Sequence, residues 1–292
     1  MPSSLPKRTT TIGASATVAD TAMARSNQRM RRAASWFLRR CSATLMGCFL
    51  LYLLLPMVLV SIGAFGKTWT NTLLPSGFTL TWFAQLWDDT SFHRAFDISL
   101  LVAGLCCLCT ALIGLPLAYA LHARAKARGA WAARVINLLP IGVPALTLGF
   151  GYIVIFSGDA LPWLGSWPLL VAAHVVLTLP YLTQTLLNDL RHLDIDRLED
   201  CAATLGASPS RQFMTITLPS LKHSVMSGLV MVSALSIGEF QVSNLIAGFR
   251  YRNYPVVLLQ AFYGATGMAC AATVILLALA VVATLGSMVF TD

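Results

Sequence analysis

Six long apolar runs constrain this chain more than any other feature of its sequence. They cover residues 43–65, 96–121, 135–156, 168–187, 225–246 and 268–290. A helix needs about 20 mostly apolar residues to cross the hydrocarbon core of a bilayer, and each run meets that length. Each run is continuously apolar rather than alternating, and a helix satisfies its own backbone hydrogen bonds in lipid. The sequence therefore predicts an all-α integral membrane protein with six transmembrane helices.

The charged residues are few and unevenly placed. They make up 11% of the 292 residues, whereas a typical soluble domain has about a quarter. The net charge of +8 would by itself be compatible with nucleic-acid binding. However, sixteen of the 20 Lys and Arg residues precede the first run or lie in the second-to-third and fourth-to-fifth connections. Because such an excess marks the cytoplasmic side of a membrane protein, we expect both termini in the cytoplasm and no nucleic-acid partner.

The chain divides by composition into a short tail and a membrane domain. Residues 1–35 are rich in Ser, Thr, Ala and Arg and contain one acid, Asp20. This composition resembles a transit peptide and is equally typical of a disordered cytoplasmic tail. We expect a disordered basic tail over residues 1–35 and a six-helix membrane domain over residues 36–292.

The longest internal polar segment lies between the fourth and fifth runs. Its local pattern predicts a short helix, a turn and a second short helix. Asp194 or Asp196 is placed to cap the first helix, and Gly206 supplies the left-handed residue that ends it. Ser208 followed by Pro209 is a favourable N-cap and first residue for the second helix.

The spacing within this segment resembles the cytoplasmic loop of the permease subunits of bacterial ABC importers. In that family, Glu-Ala-Ala is followed by three residues, a glycine, nine residues, an isoleucine, one residue and Leu-Pro. The residues at these positions of the present chain, in that order, are Asp200, Cys201, Ala202, Gly206, Ile216, Leu218 and Pro219. Two of them depart from the pattern, Asp200 in place of glutamate and Cys201 in place of the first alanine. The neighbouring Glu199 is available to share the acidic role.

The resemblance implies a type I importer permease whose segment 189–222 contains a coupling helix that docks on a separate ATPase subunit. The residues it assigns to ATPase coupling are Glu199, Asp200, Cys201, Ala202, Gly206, Pro209, Ile216, Leu218 and Pro219. It further implies a location in the bacterial inner membrane, in contact with lipid. A second permease subunit, identical or related, and a periplasmic solute-binding protein are the other expected partners.

The chain itself is not expected to be an enzyme or to bind a cofactor. It has no glycine-rich loop with the Gly-Lys-Ser/Thr sequence that binds nucleotide phosphates. We therefore expect ATP to be used by the partner subunit. The alternative from another class is a six-helix secondary carrier or channel without an ATPase. Such carriers often have internal repeats, and the sequence shows no convincing repeat.

The substrate is indicated only by similarity. The chain resembles the subgroup of importers for thiamine, ferric iron, polyamines or sulfate, and the stretches 238–244 and 254–261 most resemble the permeases of thiamine and iron importers. The resemblance therefore implies thiamine, ferric iron or a polyamine as the solute.

Glu239 is the only acid well inside a predicted transmembrane helix. A charged group at such a depth is costly and by default marks a function. It is a candidate to line the translocation path and favour a cationic solute, or to be a structural carboxylate bonded to a neighbouring helix. For His174, on an apolar helix face, we expect a hydrogen-bonded packing role. Cys106 and Cys109 lie in an apolar run without His or carboxylate, and we expect them to pack rather than bind metal.

Overall fold

The computed structural model describes residues 13–69, 72, 74–124 and 130–291. The chain forms two compact units, residues 1–59 and residues 60–292. The first unit consists of most of helix α1 (Gly13–Ala64), which contains Pro56 and the whole of the first apolar run but its last residue. This helix begins at Gly13, inside the segment that the sequence predicts to be a disordered tail.

The second unit is almost entirely helical, as the sequence predicts. Its two short strands, β1 (Gly66–Thr68) and β2 (Ser76–Phe78), pair antiparallel. The longer helices are α2 (Thr81–Asp88), α3 (Thr90–Ala123), α4 (Ala130–Gly142), α5 (Ala145–Phe156), α6 (Trp167–His192), α7 (Ile195–Thr204), α10 (Lys222–Ile237), α12 (Tyr254–Gly264) and α13 (Thr266–Thr291). The shorter ones are α8 (Pro209–Gln212), α9 (Leu218–Ser220) and α11 (Gln241–Ile246), with a π-helical turn (Phe213–Thr217) between α8 and α9.

The main core forms where α3, α6 and α10 pack together. Leu182 and Leu186 of α6 are fully buried there. Small residues on the neighbouring helices allow the backbones to approach closely. A Cβ on Gly228 of α10 would lie 2.5 Å from the Cδ1 atom of Leu182, and one on Gly114 of α3 would lie 3.1 Å from its Cδ2 atom. Close packing of this kind holds helices together in lipid, where the hydrophobic effect no longer favours their association.

A second cluster of buried apolar residues lies at the end of this unit where α3 begins. It contains Phe92, Tyr254 and Ala271, contributed by α3, α12 and α13. The indole N–H of Trp82, in α2, donates a hydrogen bond to the carbonyl oxygen of Gly66 at 2.8 Å, which ties α2 to the two-stranded ribbon.

Two of the six predicted transmembrane helices are interrupted. The run 135–156 forms α4 and α5, which meet at an angle of 98°. The run 225–246 is not one helix, because α10 ends at Ile237 and α11 begins at Gln241. Glu239 therefore lies in a non-helical break, and its predicted position inside a helix is wrong.

The described residues do not confirm the predicted number of six membrane-spanning helices. Among the described residues, three helices are long and apolar enough to cross a bilayer, namely Leu38–Ala64, Thr90–Ala123 and Trp167–His192. The count rises to five if each of two bent pairs forms one span. One pair is α4 with α5, and the other joins Pro209–Ser220 to α10 at an angle of 65°. The shorter apolar helix Thr266–Val282 is part of α13, which continues to Thr291.

Candidate functional site

The polar segment after α6 has the helix-turn-helix form that its sequence predicts. Helix α7 is followed by Gly206, whose φ of +83° is the left-handed conformation that favours glycine. Helix α8 then begins at Pro209 directly after Ser208. The predicted capping by acids is wrong, since no side chain caps α7 and Asp194 is itself left-handed, with a φ of 50°.

Glu199 points from α7 into the helix bundle. Its Oε1 atom accepts a hydrogen bond from the Thr217 hydroxyl at 2.5 Å, and its Oε2 atom accepts one from the Tyr119 hydroxyl at 3.1 Å. Tyr119 belongs to α3 and also packs edge-on against Phe213, with ring centroids 5.0 Å apart. One carboxylate thus joins α7 to α3 and to the π-helical turn.

Three further contacts hold the same segment to the bundle. Asp196 bonds to the Nε2 atom of His122 at 2.7 Å. The Ser224 hydroxyl donates to the Asp189 carboxylate, which connects α10 to α6. Ile195 is fully buried at the start of α7. The segment is therefore fixed to α3, α6 and α10 together.

The opposite face of the segment is open. Of the residues that the sequence assigns to ATPase coupling, those that are exposed are Asp200, Cys201, Gly206, Pro209 and Pro219, and those that are half-buried are Glu199, Ala202, Ile216 and Leu218. Large apolar side chains extend the open face, since Leu205 is 88% exposed and Met214 62% exposed. An apolar surface bordered by polar residues is typical of a protein-protein contact. We name this face, formed by Asp200, Cys201, Leu205 and Met214, the coupling surface.

Sequence reasoning missed four members of this region. Leu205 and Met214 lie between motif positions, and nothing in the spacing marks them as exposed. Tyr119 and Thr217 became relevant only when folding brought them to Glu199.

A second polar cluster surrounds Glu239. Its Oε1 atom accepts the backbone N–H of Val242 at 2.8 Å. Its Oε2 atom accepts the backbone N–H of Ser243 at 2.9 Å and the Ser243 hydroxyl at 2.6 Å. These donors lie in the first turn of α11, so Glu239 caps the helix that follows the break. The same carboxylate lines a cavity of about 260 Å³ beside the bend between α4 and α5, together with His174, Tyr181 and others.

His174 has the hydrogen-bonded packing role that its sequence position predicts. Its side chain is 1% exposed. The Nδ1 atom lies 2.7 Å from the Ser236 hydroxyl and Nε2 lies 2.9 Å from the Ser243 hydroxyl. Nε2 is also 3.6 Å from the Glu239 carboxylate. The imidazole therefore connects α6 to both sides of the break.

Asn253 completes the cluster from the loop that precedes α12. Its Nδ2 atom donates to the carbonyl oxygen of Glu239 at 2.8 Å and to the Ser243 hydroxyl at 2.9 Å.

Cys106 lies outside this cluster. Its side chain is buried, and its Sγ atom lies 3.3 Å from the Thr178 hydroxyl. Within the described residues no group of three or more His, Cys, Asp or Glu side chains is arranged to hold a metal ion.

Comparison with known proteins identifies the class. Residues 111–290 match the family described as binding-protein-dependent transport system inner membrane component. This match covers more than half of the chain, and the chain belongs to that family. It is a permease subunit of an ABC importer, a multi-pass protein of the inner membrane.

Relatives of this chain serve different solutes. It is 29% identical over 211 residues to a permease protein assigned to a 2-aminoethylphosphonate transport system of Salmonella typhimurium, covering 72% of this chain and 78% of the relative. It is 25% identical to the putrescine transport system permease protein PotI of Escherichia coli, covering 68% and 71%. It is 27% identical to the spermidine/putrescine transport system permease protein PotC of Haemophilus influenzae, covering 70% and 78%.

Solved structures share the fold. The chain resembles a crystal structure of a bacterial ABC transporter involved in the import of the acidic polysaccharide alginate, with a TM-score of 0.70 and 18% identity. That likeness covers 91% of this chain and 98% of the other. A second structure, of a bacterial alginate ABC transporter in complex with a periplasmic protein bound to an alginate pentasaccharide, gives a TM-score of 0.66 at 18% identity, covering 86% and 92%.

Proposed function

We propose that this permease couples to a separate ATPase subunit through the coupling surface, and that six helices in each of two permease subunits form the translocation path. The observation that carries the proposal is the two-sided arrangement of α7. Glu199 and Ile195 fix one side to the bundle, while Asp200 and Cys201 leave the other side open. A helix held in this way transmits a push from a docked partner as movement of the bundle rather than as local unfolding.

In this proposal the chain binds no cofactor, and ATP is bound and hydrolysed only by the partner. Force from the ATPase passes from α7 to α3 through the Glu199–Tyr119 bond. It passes to α10 through the π-helical turn, and the Asp189–Ser224 bond connects α10 to α6. Because α3, α6 and α10 form the main core, these contacts move the helices that enclose the cavity beside Glu239.

The remaining parts of the proposal concern topology and partners. Both termini lie in the cytoplasm, with residues 1–35 as a basic tail and the coupling segment 189–222 on the same side. A second permease, identical or related, provides the other half of the path, and membrane lipid surrounds the pair. A periplasmic solute-binding protein delivers the solute from the opposite side.

For the solute we propose a small molecule with a primary ammonium group. Support comes from three relatives, whose names include 2-aminoethylphosphonate, putrescine and spermidine, whereas another relative is named for sulfate. Of the three solutes that the sequence resemblance implies, a polyamine is therefore favoured over thiamine and ferric iron. In this proposal Glu239 lines the path, although its two carboxylate oxygens already accept three hydrogen bonds from α11.

The test is co-purification of the tagged, intact chain from its native membrane. We expect an ABC ATPase to accompany the wild-type chain. Leu205→Glu places a charge on the coupling surface and is expected to reduce the amount of ATPase at least about tenfold, because a buried unpaired charge costs several kcal/mol. The matched control is Leu80→Glu, since Leu80 is also an exposed leucine but lies at the other end of the unit, beside α2.

A secondary carrier would give a different result. In that case no ATPase accompanies the wild-type chain, and Gly206→Asp, which forces a side chain into a left-handed position, leaves uptake of the solute unchanged. The two observations together would remove the ATP-driven mechanism.

A further inference from the structure

The break between α10 and α11 joins two groups of packed helices. On one side, α10 packs on α3 and α6 in the main core. On the other side, α11 packs chiefly on α5, where a Cβ on Gly149 would lie 2.5 Å from the Cδ1 atom of Leu245. Residues 238–240 between them are not helical, so the ladder of helical hydrogen bonds is interrupted. The position of α11 therefore depends on contacts made across the break.

The imidazole of His174 makes one contact on each side of the break. Its Nδ1 atom lies 2.7 Å from the hydroxyl of Ser236 in the last turn of α10, and its Nε2 atom lies 2.9 Å from the hydroxyl of Ser243 in α11. All three residues are at most 3% exposed. Inside a protein a hydrogen bond is stronger than in water, and a buried group that loses its partner is costly. His174 therefore links α6 of the main core directly to α11.

The hydroxyl of Ser243 fixes which nitrogen of this imidazole carries the proton. A hydroxyl has one proton to donate, and Ser243 donates it to the Oε2 atom of Glu239 at 2.6 Å. The Nδ2 group of Asn253, which also donates to the carbonyl oxygen of Glu239, donates to the Ser243 oxygen at 2.9 Å. That oxygen has one lone pair left for His174, so Nε2 is the donor. In the neutral ring, Nδ1 then accepts from the Ser236 hydroxyl.

The bond from Nε2 also determines the position of the Glu239 carboxylate. The Ser243 hydroxyl that accepts from Nε2 is itself a donor to Oε2, and the backbone N–H of Ser243 donates to the same atom. His174 and Glu239 both line the cavity of about 260 Å³ beside the bend between α4 and α5. A movement of Ser243 away from His174 would therefore carry the carboxylate away from its place at the cavity.

We propose that His174 is a positioning residue for transport. Its Nε2–H bond to Ser243 holds α11 against the main core and thereby sets where Glu239 lies at the cavity. The contact with Ser236 contributes to packing alone, because α10 and α6 already belong to the same core. The inference rests on the proposed function, in which Glu239 lines the translocation path. Loss of the Nε2 donor lowers the rate of transport although the chain stays folded.

Two amide variants separate the two nitrogens. The side-chain amide of His174→Gln reaches the position of Nε2 and donates to Ser243, whereas that of the shorter His174→Asn reaches the position of Nδ1 and serves Ser236. We expect His174→Asn to lower the maximal rate of uptake at least about tenfold, the scale of one lost hydrogen bond, and His174→Gln to stay within about threefold of the wild type. A side chain that only fills space gives no reason for the shorter amide to fail and the longer one to succeed.

Uptake is measured in proteoliposomes that contain this chain, its ATPase and its second permease, with the solute-binding protein in excess. Radiolabelled 2-aminoethylphosphonate, putrescine and spermidine are offered separately, and the one that the wild-type transporter imports is used. The solute concentration at half-maximal rate is expected to stay unchanged in both variants, because the binding protein captures the solute before it reaches the path. Each variant keeps one of the two hydrogen bonds, so their unfolding temperatures in detergent are expected to agree.

Hydrogen exchange provides a measurement that does not depend on the solute. The backbone N–H groups of Val242 and Ser243 donate to Glu239, so their protection reports on the cap of α11. We expect peptides covering residues 239–246 to exchange at least about tenfold faster in His174→Asn than in His174→Gln or the wild type. Peptides from α10 are expected to exchange at equal rates in all three proteins.

The matched control is Thr183→Val in the same helix. Thr183 is fully buried, and its hydroxyl donates to the carbonyl oxygen of Leu179, also in α6, at 2.7 Å. The change removes a buried polar group from α6 without touching the break, so wild-type uptake and wild-type exchange of residues 239–246 are expected. If His174→Asn does not accumulate, Ser236→Ala makes the comparison from the other side by removing the partner of Nδ1. A tenfold loss of uptake in Ser236→Ala would contradict the assignment to Nε2.

The outcomes distinguish this inference from the proposed function. Equal uptake by His174→Gln and His174→Asn, whether normal or reduced, would overturn the positioning role alone. Equal exchange of residues 239–246 in the two variants would overturn it as well, even if none of the three solutes is imported. Normal uptake by Glu239→Gln would remove that residue from the path and the inference with it. Uptake by the wild type without an ATPase would contradict the proposed function and leave the comparison of the two His174 variants valid.

Discussion

At the scale of single residues, two adjacent acids in α7 have opposite environments. Glu199 is hydrogen-bonded to Thr217 and Tyr119 inside the bundle, whereas Asp200 is exposed on the coupling surface. Successive helix positions are about 100° apart, so one acid can serve the bundle while the next serves a partner. The division predicts different phenotypes for two very similar substitutions.

Glu199→Gln is expected to lower the stability of the purified chain by about 1–3 kcal/mol, because hydrogen bonds to a carboxylate are stronger than those to an amide. Thermal unfolding in detergent measures the loss. Asp200→Asn is expected to leave the unfolding temperature unchanged and to reduce the amount of co-purified ATPase. Equal unfolding temperatures for the two variants would contradict the assignment of Glu199 to the bundle.

Glu239→Gln is expected to abolish uptake of the solute. A glutamine has one acceptor oxygen, and its amide group would oppose a backbone N–H of Val242 or Ser243, so the cap of α11 is lost. Ser243→Ala removes a donor from the same carboxylate. If Glu239 acts through α11, Ser243→Ala alone is expected to reduce uptake in a graded assay, because it weakens the same cap. Normal uptake by Glu239→Gln would remove this residue from the translocation path.

At the scale of elements, the breaks in the helices position the central cavity. The bend between α4 and α5 lies at Val143 and Pro144, and both residues line the cavity that Glu239 lines from the other break. Irregular backbone at membrane depth is tolerated where it borders a cavity or is buried in protein. The α6 helix, continuous between these breaks, supplies His174 and the leucines against which α10 packs.

Gly228→Ala is expected to destabilise the chain by about 1–3 kcal/mol, because the new methyl group would lie 2.5 Å from the Cδ1 atom of Leu182. The matched control is Gly104→Ala in α3, where a Cβ would meet nothing within 4 Å. There the same change is expected to be neutral or stabilising by up to about 1 kcal/mol, since alanine favours the helix. Chemical or thermal unfolding in detergent measures both. Equal effects at the two positions would contradict the packing of α10 on α6.

At the scale of the whole molecule, the proposed orientation can be tested without knowledge of the solute. In a cysteine-free background, a single cysteine at position 250 is expected to react with a membrane-impermeant maleimide added to cells with a permeable outer membrane. A single cysteine at position 210, in α8, is expected to react only after the inner membrane is opened. Ser210 is exposed, as is Arg250, so accessibility within the chain does not account for a difference. The reverse pattern would invert the topology.

Much of the architecture follows from local sequence patterns. The apolar runs predict helices that the structure contains, and Gly206 and Pro209 predict the turn in the coupling segment. Hydrophobicity could not predict the end of α10 at Ile237, because residues 225–246 together form one predominantly apolar run of spanning length. The interruption depends on Glu239 capping α11 and on Asn253, 14 positions later, bonding to its carbonyl oxygen.

The sequence by itself determined the class of this protein, since apolar length, charge asymmetry and motif spacing are local properties of the chain. Only the tertiary structure decided which way the acids point. It turned Glu199 toward Thr217 and Tyr119, left Asp200 in the open, and made Glu239 a helix cap beside a cavity. The physical reason is that a carboxylate in a membrane protein must find donors, and residues distant in the sequence supply them only after the helices have packed.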